Sequence, residues 1–317
     1  MKKISTILFL SFSCCLIGSR AGAQTPTDAI MMEKGQICFA ALYGHNTWHE
    51  YWEGTLKREN GNIGTLTSQS ITPMFALGVI NRVNLLAGIN WMKTDASAGQ
   101  VRGAKGLQDW GVWLKGEVFK IPTGPGKLSF DAVAGISGPA SNYLPDFAPF
   151  SLGLGCPDGS LRGIFQYELE KGPYARVQAG YHLRGSCTIE RDYYYSDQDY
   201  YTDKVDVPNA VTYEAVLGSW FLNYALKVQA SFDGLQSLSG NDIRRQDAGF
   251  PSNKMIFTCV GGLVQYYFPF VKGLGVLASG NYVLSGRNVG QSLGITGGVT
   301  YQFGIWNRTK METESKK

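Results

Sequence analysis

Charge is scarce in this chain of 317 residues: Asp, Glu, Lys and Arg together make up 17%, against about a quarter in an ordinary domain. With so few charges and 44% hydrophobic residues, disorder, coiled coils and helical repeats are excluded. A basic excess is missing too. The formal net charge is +4, and removing Lys2, Lys3 and Arg20 with an export signal leaves 4 − 3 = +1, so the footprint of a nucleic-acid binder is absent. After Gln24 no run of 18 apolar residues occurs, which excludes a transmembrane helix. Histidine is limited to His45, His49 and His182. Hence a metal centre at His45, His49 and Glu50, or a hydrolase built on His182, lacks the further ligands, nucleophile and orienting group it would need. No cofactor, metal site or catalytic residue is expected.

What is present begins with an export signal. Lys2 and Lys3 precede an apolar stretch over 4–17, and Ala21-Gly22-Ala23 supplies small residues for cleavage, so a mature chain starting at Gln24 is expected. Residues 24–35 are then expected as a short periplasmic segment, 36–304 as the folded unit and 305–317 as a charged periplasmic tail.

Alternation with period two runs through most of that unit. Over 224–233, Tyr224, Leu226, Val228, Ala230 and Phe232 alternate with Ala225, Lys227, Gln229, Ser231 and Asp233, a strand with one apolar and one polar face. Joined to Tyr213, Leu217 and Phe221 through a two-residue turn at Leu222-Asn223, it would set Phe221 opposite Tyr224. A second hairpin through Lys171-Gly172-Pro173 would set Glu168 opposite Arg176. Twelve such segments are read: 36–45, 66–80, 83–93, 107–119, 127–137, 160–170, 174–184, 209–221, 224–234, 254–268, 273–285 and 292–304. Fourteen is the alternative if 46–65 holds more strand. Most are long enough to cross a bilayer when tilted. Short links such as Asn81-Arg82 alternate with long ones such as 138–159 and 185–208, and aromatics gather at the short-turn end. These are features of a single antiparallel up-and-down transmembrane β-barrel, all-β, in a bacterial outer membrane. Pro73 within a strand predicts a bulge.

The polar face of such a barrel points inward. Asp109, Lys115, Glu117, Arg162, Glu168, Arg176, His182, Arg184, Glu214 and Lys227 are therefore the pore-lining candidates. They would form either a mixed-charge constriction or a self-neutralising filling. Cys156 and Cys187, in loops on the same side, could form a disulfide in an oxidising compartment. The Tyr-rich loop 185–208 could bind a ligand or pack on itself.

The segment 296–303, T-G-G-V-T-Y-Q-F, resembles the C-terminal assembly signal of bacterial outer-membrane proteins, with Tyr301 and Phe303 as its aromatics. The resemblance implies the outer-membrane assembly machinery as a partner, beside outer-membrane lipid. The stretch 34–54 with W-H-E-Y-W-E-G, GLQDWGVWLKGEVFK at 106–120 and GRNVGQS at 286–292 resemble the outer-membrane transporter family named for the meta-pathway of phenol degradation, distantly similar to fatty-acid channels. That resemblance implies passage of small apolar or aromatic solutes. Fatty-acid channels carry a long N-terminal plug, for which 24–34 is too short, so any gate is expected from inward loops or packed lumen side chains. The alternative function is a barrel with a filled lumen that displays its loops and transports nothing.

Overall fold

The computed structural model describes residues 24–244 and 248–305. The export signal and the charged tail beyond 305 lie outside the described residues. Twelve strands close into one antiparallel barrel. They are β1 (Gln36–Trp48), β2 (Leu66–Ile80), β3 (Val83–Ala96), β4 (Lys105–Thr123), β5 (Gly126–Pro139), β6 (Asp158–Leu169), β7 (Pro173–Arg184), β8 (Ala210–Phe221), β9 (Leu226–Ser237), β10 (Ile256–Tyr267), β11 (Leu274–Arg287) and β12 (Leu293–Gly304). Each strand pairs with the next in sequence, and β12 pairs with β1, so no edge is left open. The question of fourteen strands is resolved by the first loop. Its extra pair, Glu50–Glu53 with Leu56–Glu59, forms a separate hairpin outside the barrel.

The alternation seen in the sequence becomes two surfaces. Leu217 is 71% exposed, Leu161 67% and Leu183 61%. Large aliphatic side chains standing free around a closed wall have no place in water, and hydrocarbon is their solvent. On the opposite face of the wall Lys115, Arg176 and Lys227 are buried. The wall is inside-out relative to a soluble protein, and the polar inventory lies within.

Both expected hairpin registers are displaced by two residues. Phe221 pairs with Leu226 rather than Tyr224, because Leu222 to Ala225 form a four-residue connection. Leu222, Asn223 and Tyr224 take φ of 52°, 56° and 67° there, and Ala225 N–H donates to Leu222 O at 3.2 Å. Likewise Glu168 pairs with Tyr174, and Arg176 with Gln166. Pro73 produces no bulge. It stays in register with Ala41 on β1, and the ladder to β3 is interrupted between Ile71 and Met74. Thr72 Oγ1 donates to Asn90 Oδ1 at 2.7 Å and bridges that gap. The register shift falls instead between Gly78 and Ile80.

The long loops make an ordered cap at one end. The 185–209 loop folds as two small hairpins, Ser186–Thr188 with Lys204–Asp206 and Tyr194–Tyr195 with Asp199–Tyr200. Tyr194 stacks on Tyr200 at 4.9 Å and packs against Phe250 at 5.3 Å, so much of the Tyr-rich loop is taken up by its own packing. Cys156 and Cys187 meet in the apolar cluster beneath, with Ile189, Val205 and Val207, and both are free thiols. The expected bridge is therefore not formed in this structure. Burial pushes Cys156 up to about 11 and Cys187 up to about 12, which keeps both protonated and poor nucleophiles at neutral pH.

Asn288, in the left-handed region at φ 55°, knots three loops of the cap together. Its Oδ1 accepts from Gly54 N–H at 2.8 Å and Ile243 N–H at 3.1 Å, while Nδ2 donates to Lys254 O at 2.7 Å and Asp242 Oδ1 at 2.9 Å. Arg287 clamps Asp242 from the other side, Nε to Oδ1 at 2.7 Å and Nη2 to Oδ2 at 2.5 Å. The GRNVGQS segment is thus the fastening of the cap.

Candidate functional site

The interior is organised around a stretch that the sequence places elsewhere. Residues 24–35 do not hang outside the barrel as a periplasmic segment. They fold back against the inner wall, and Gln24, Asp28 and Met32 are all buried. Short as it is, the stretch reaches the strands at several points. Asn84 Nδ2 on β3 donates to Gln24 Oε1 at 2.9 Å. Lys115 Nζ on β4 donates to Thr25 O at 3.1 Å and to Asp28 Oδ1 at 2.7 Å. Met32 packs with Cys38, Ala76 and Leu86, beside Trp113, in an apolar patch of the inner wall. Gly35 N–H donates to Gly78 O at 2.8 Å, and its own carbonyl accepts from Ile305 N–H at 2.7 Å.

Asp28 also shapes the stretch locally. Its Oδ2 accepts from Thr25 N–H at 2.5 Å and its Oδ1 from Ile30 N–H at 2.9 Å, so the carboxylate closes a turn and meets Lys115 at once. Lys115 has 0% exposure, and an isolated ammonium at that depth would cost several kcal/mol. The pairing with Asp28 is what makes its burial tolerable.

The remaining pore-lining candidates divide into two levels. Around the N-terminal stretch, Arg176 Nη2 meets Glu214 Oε2 at 3.3 Å, and Gln178 Nε2 donates to the same oxygen. Lys227 lies with its ammonium 5.7 Å from the Trp220 ring centre and has no hydrogen-bond partner among the described residues. Arg82 pairs with Glu117 at 3.4 Å. Glu168 lies on the same face of β6 as Arg162. Nearer the cap, His182 Nδ1 meets Asp158 Oδ2 at 3.0 Å, and Arg184 Nε meets the same carboxylate at 3.5 Å. Arg162 Nη1 donates to Gln178 Oε1 at 2.8 Å. Tyr143 Oη, from the cap, donates to Asp109 Oδ1 at 2.6 Å.

Sequence reasoning missed Gln24, Asp28, Asn84, Asp131 and Asp158. Asp131 carries a usable signal. It is a lone acid in an apolar run of β5, and here it is fully buried with neither oxygen hydrogen-bonded among the described residues. Asn84 Oδ1, Arg176 Nε, Gln265 Nε2 and Thr300 Oγ1 are buried and unpaired in the same way. In an apolar core each such atom would cost about 1–3 kcal/mol. Here they belong to strands of the barrel wall and are buried on its inner side. A cavity of about 320 Å³ lies on the β1 and β10–β12 side below the cap, lined by Asn46, Ser68, Cys259, Asn281 and Ser292 among others.

No family model matches the chain, and no curated protein matches it. Solved structures do. An outer membrane channel from Pseudomonas putida F1 aligns at a TM-score of 0.68 with 12% identity, over 89% of this chain and 100% of that one. The transport unit of the autotransporter AIDA-I from Escherichia coli aligns at 0.47 with 8% identity, over 88% and 95%. The translocator domain of the autotransporter NalP from Neisseria meningitidis aligns at 0.42 with 13% identity, over 86% and 90%. At these identities the first likeness is one of fold alone, that of a closed β-barrel shared with an outer membrane channel.

Proposed function

We propose that this chain is an outer-membrane channel or transporter for small solutes, closed at rest by residues 24–35. Its proposed relatives are the transporters named for the meta-pathway of phenol degradation, and its proposed cargo is small apolar or aromatic molecules. Tyr301 and Phe303 belong to this proposal as the signal read by the assembly machinery. The observation that carries the reading is the nature of the obstruction. A peptide outside the strand ladder lies inside the barrel against its wall, held by a few side-chain bonds and one buried methionine. A barrel filled only for rigidity needs no detachable piece, since wall side chains can meet one another directly. The mixed signs of Lys115, Glu117, Arg162, Arg176, Glu214 and Lys227 favour neutral cargo over strong ion selection.

The test is conductance and solute flux through the refolded mature chain, with a gel-mobility shift on boiling as proof of folding. The natural chain is expected to show small, infrequent conductance steps. Chains with a weakened plug are expected to open and to admit small neutral aromatic solutes into liposomes. Folded barrels that stay silent and impermeable with the plug dislodged would establish the display scaffold instead.

A further inference from the structure

The barrel wall is divided by charge. β10, β12, β1 and β2 contain no Asp, Glu, Lys or Arg, and β11 contains only Arg287, which is held by Asp242 of the cap. Lys115, Asp131, Arg176, Glu214 and Lys227 all lie on β4 to β9. The cavity of about 320 Å³ below the cap belongs to the uncharged half. Asn46, Ser68 and Asn281 face it from β1, β2 and β11, and Ser292 faces it from just before β12. Their sequence neighbours Tyr282 and Leu293 stand exposed on the outer wall, as the alternation of a strand requires. The side chains of Asn46, Ser68 and Ser292 make no hydrogen bond among the described residues. Trp48 and Phe257 add aromatic surface. Gly290 lets the Trp48 ring lie against the backbone, since a Cβ there would sit 2.5 Å from it. The GRNVGQS segment thus faces two ways: Asn288 fastens the cap, whereas Val289 packs toward Cys259 and Val283 in the cavity wall.

We propose that this cavity binds small uncharged molecules that carry a hydroxyl or amide group on a flat apolar body. The inference rests on the channel reading above and gives it a binding station and a ligand class. The volume holds about ten non-hydrogen atoms, at the roughly 30 Å³ that a water molecule occupies in the liquid. A charged solute would lose its hydration there with no counter-charge on the lining, which is costly. A purely apolar one would leave the amides and hydroxyls facing it unanswered.

Benzyl alcohol is the probe, with sodium benzoate as its charged counterpart and toluene as its apolar one. Binding is read by isothermal titration of the refolded full mature chain against the same micelles without protein, with the boiling shift as proof of folding. Benzyl alcohol is expected to bind at least tenfold tighter than benzoate and about fivefold tighter than toluene, the latter being the value of one net hydrogen bond. Ser68→Phe fills the cavity and is expected to abolish binding of benzyl alcohol, and Ser292→Leu serves the same purpose should the first variant fail to fold. Asn46→Leu keeps the volume while removing an amide, so it is expected to weaken benzyl alcohol about fivefold and leave toluene unchanged, a split that a merely structural change would not produce. Benzoate bound as tightly as benzyl alcohol overturns the proposal, as does benzyl alcohol binding that is indifferent to both filling variants. Flux on the same preparations separates the two readings. A chain that conducts but does not bind benzyl alcohol overturns the site alone, whereas one that binds it yet stays impermeable with residues 24–35 dislodged overturns the channel and leaves the site standing.

Discussion

The plug can be dislodged without touching a charge, by adding one carbon to Gly78. A Cβ there would lie 2.0 Å from Glu33 O, 2.8 Å from Glu33 C and 3.1 Å from Met32 O. All three are backbone atoms, so no rotamer change relieves the clash. In Gly78→Ala the 32–33 backbone has to lift by roughly 1.5 Å to restore ordinary contact. That movement breaks the 2.8 Å bond from Gly35 N–H to Gly78 O, worth about 1 kcal/mol. It also pulls Met32 from its seat with Cys38, Ala76 and Leu86, worth about 1.5–3 kcal/mol. A total near 3 kcal/mol shifts the seated-to-free ratio on the order of 100-fold. Single-channel recording should show this as a large rise in open probability in barrels that still shift mobility on boiling. Gly78→Ala barrels that fold yet open no more often than the natural chain would refute the reasoning, because the strain would then be absorbed by the wall and not by the plug.

Three further outcomes are expected. Asn288→Ala removes four hydrogen bonds joining the 49–65, 238–255 and 288–292 loops, so limited proteolysis should cut the cap much faster while the boiling shift persists. The Asp242 carboxyl is held below the ordinary carboxylate value by hydrogen bonds from Arg287 and Asn288, against an opposing effect of burial. A lowered folded-state value means the clasp contributes fully above about pH 4 and is lost as pH falls further, so the same digestion should accelerate only in acid; faster cutting as pH rises would contradict the sign. Cys156 and Cys187 should take up an alkylating reagent only after unfolding, and a peptide pair joined through sulfur in the mass map would instead establish the bridge.

The faces of the strands could be read from sequence and their partners could not, for one geometric reason. Side chains repeat every two residues, so an error of two in a hairpin register returns every residue to its proper side. Leu217 meets Ala230 and not Val228, yet both partners face outward. The turn at Leu222 to Ala225 escaped because three successive non-glycine residues with positive φ carry no turn signature. Lys115, Arg176 and Lys227 were visible as inward-facing cations because they fall on the polar face of the period-two alternation. Asp28 was not, since nothing near it in sequence shows that Lys115, 87 positions later, needs a counterion. A short N-terminal stretch looks like a leader to the first strand until the wall glycine that admits its backbone is known. The cap clasp was equally hidden, because it depends on where Asp242 and Asn288 meet in space.

The placement of the plug's anchors has a consequence for how the barrel is built. Its wall hydrogen bonds go to Gly78, Asn84 and Lys115, on β2, β3 and β4, the strands made immediately after it. Arg176 and Lys227, on β7 and β9, contribute only through their charge. The first third of the chain therefore carries most of the hydrogen-bonding cradle for its own N-terminal peptide. The tie between Gly35 and Ile305 depends on the end of β12, so the seam that closes the barrel also fastens the base of the N-terminal stretch.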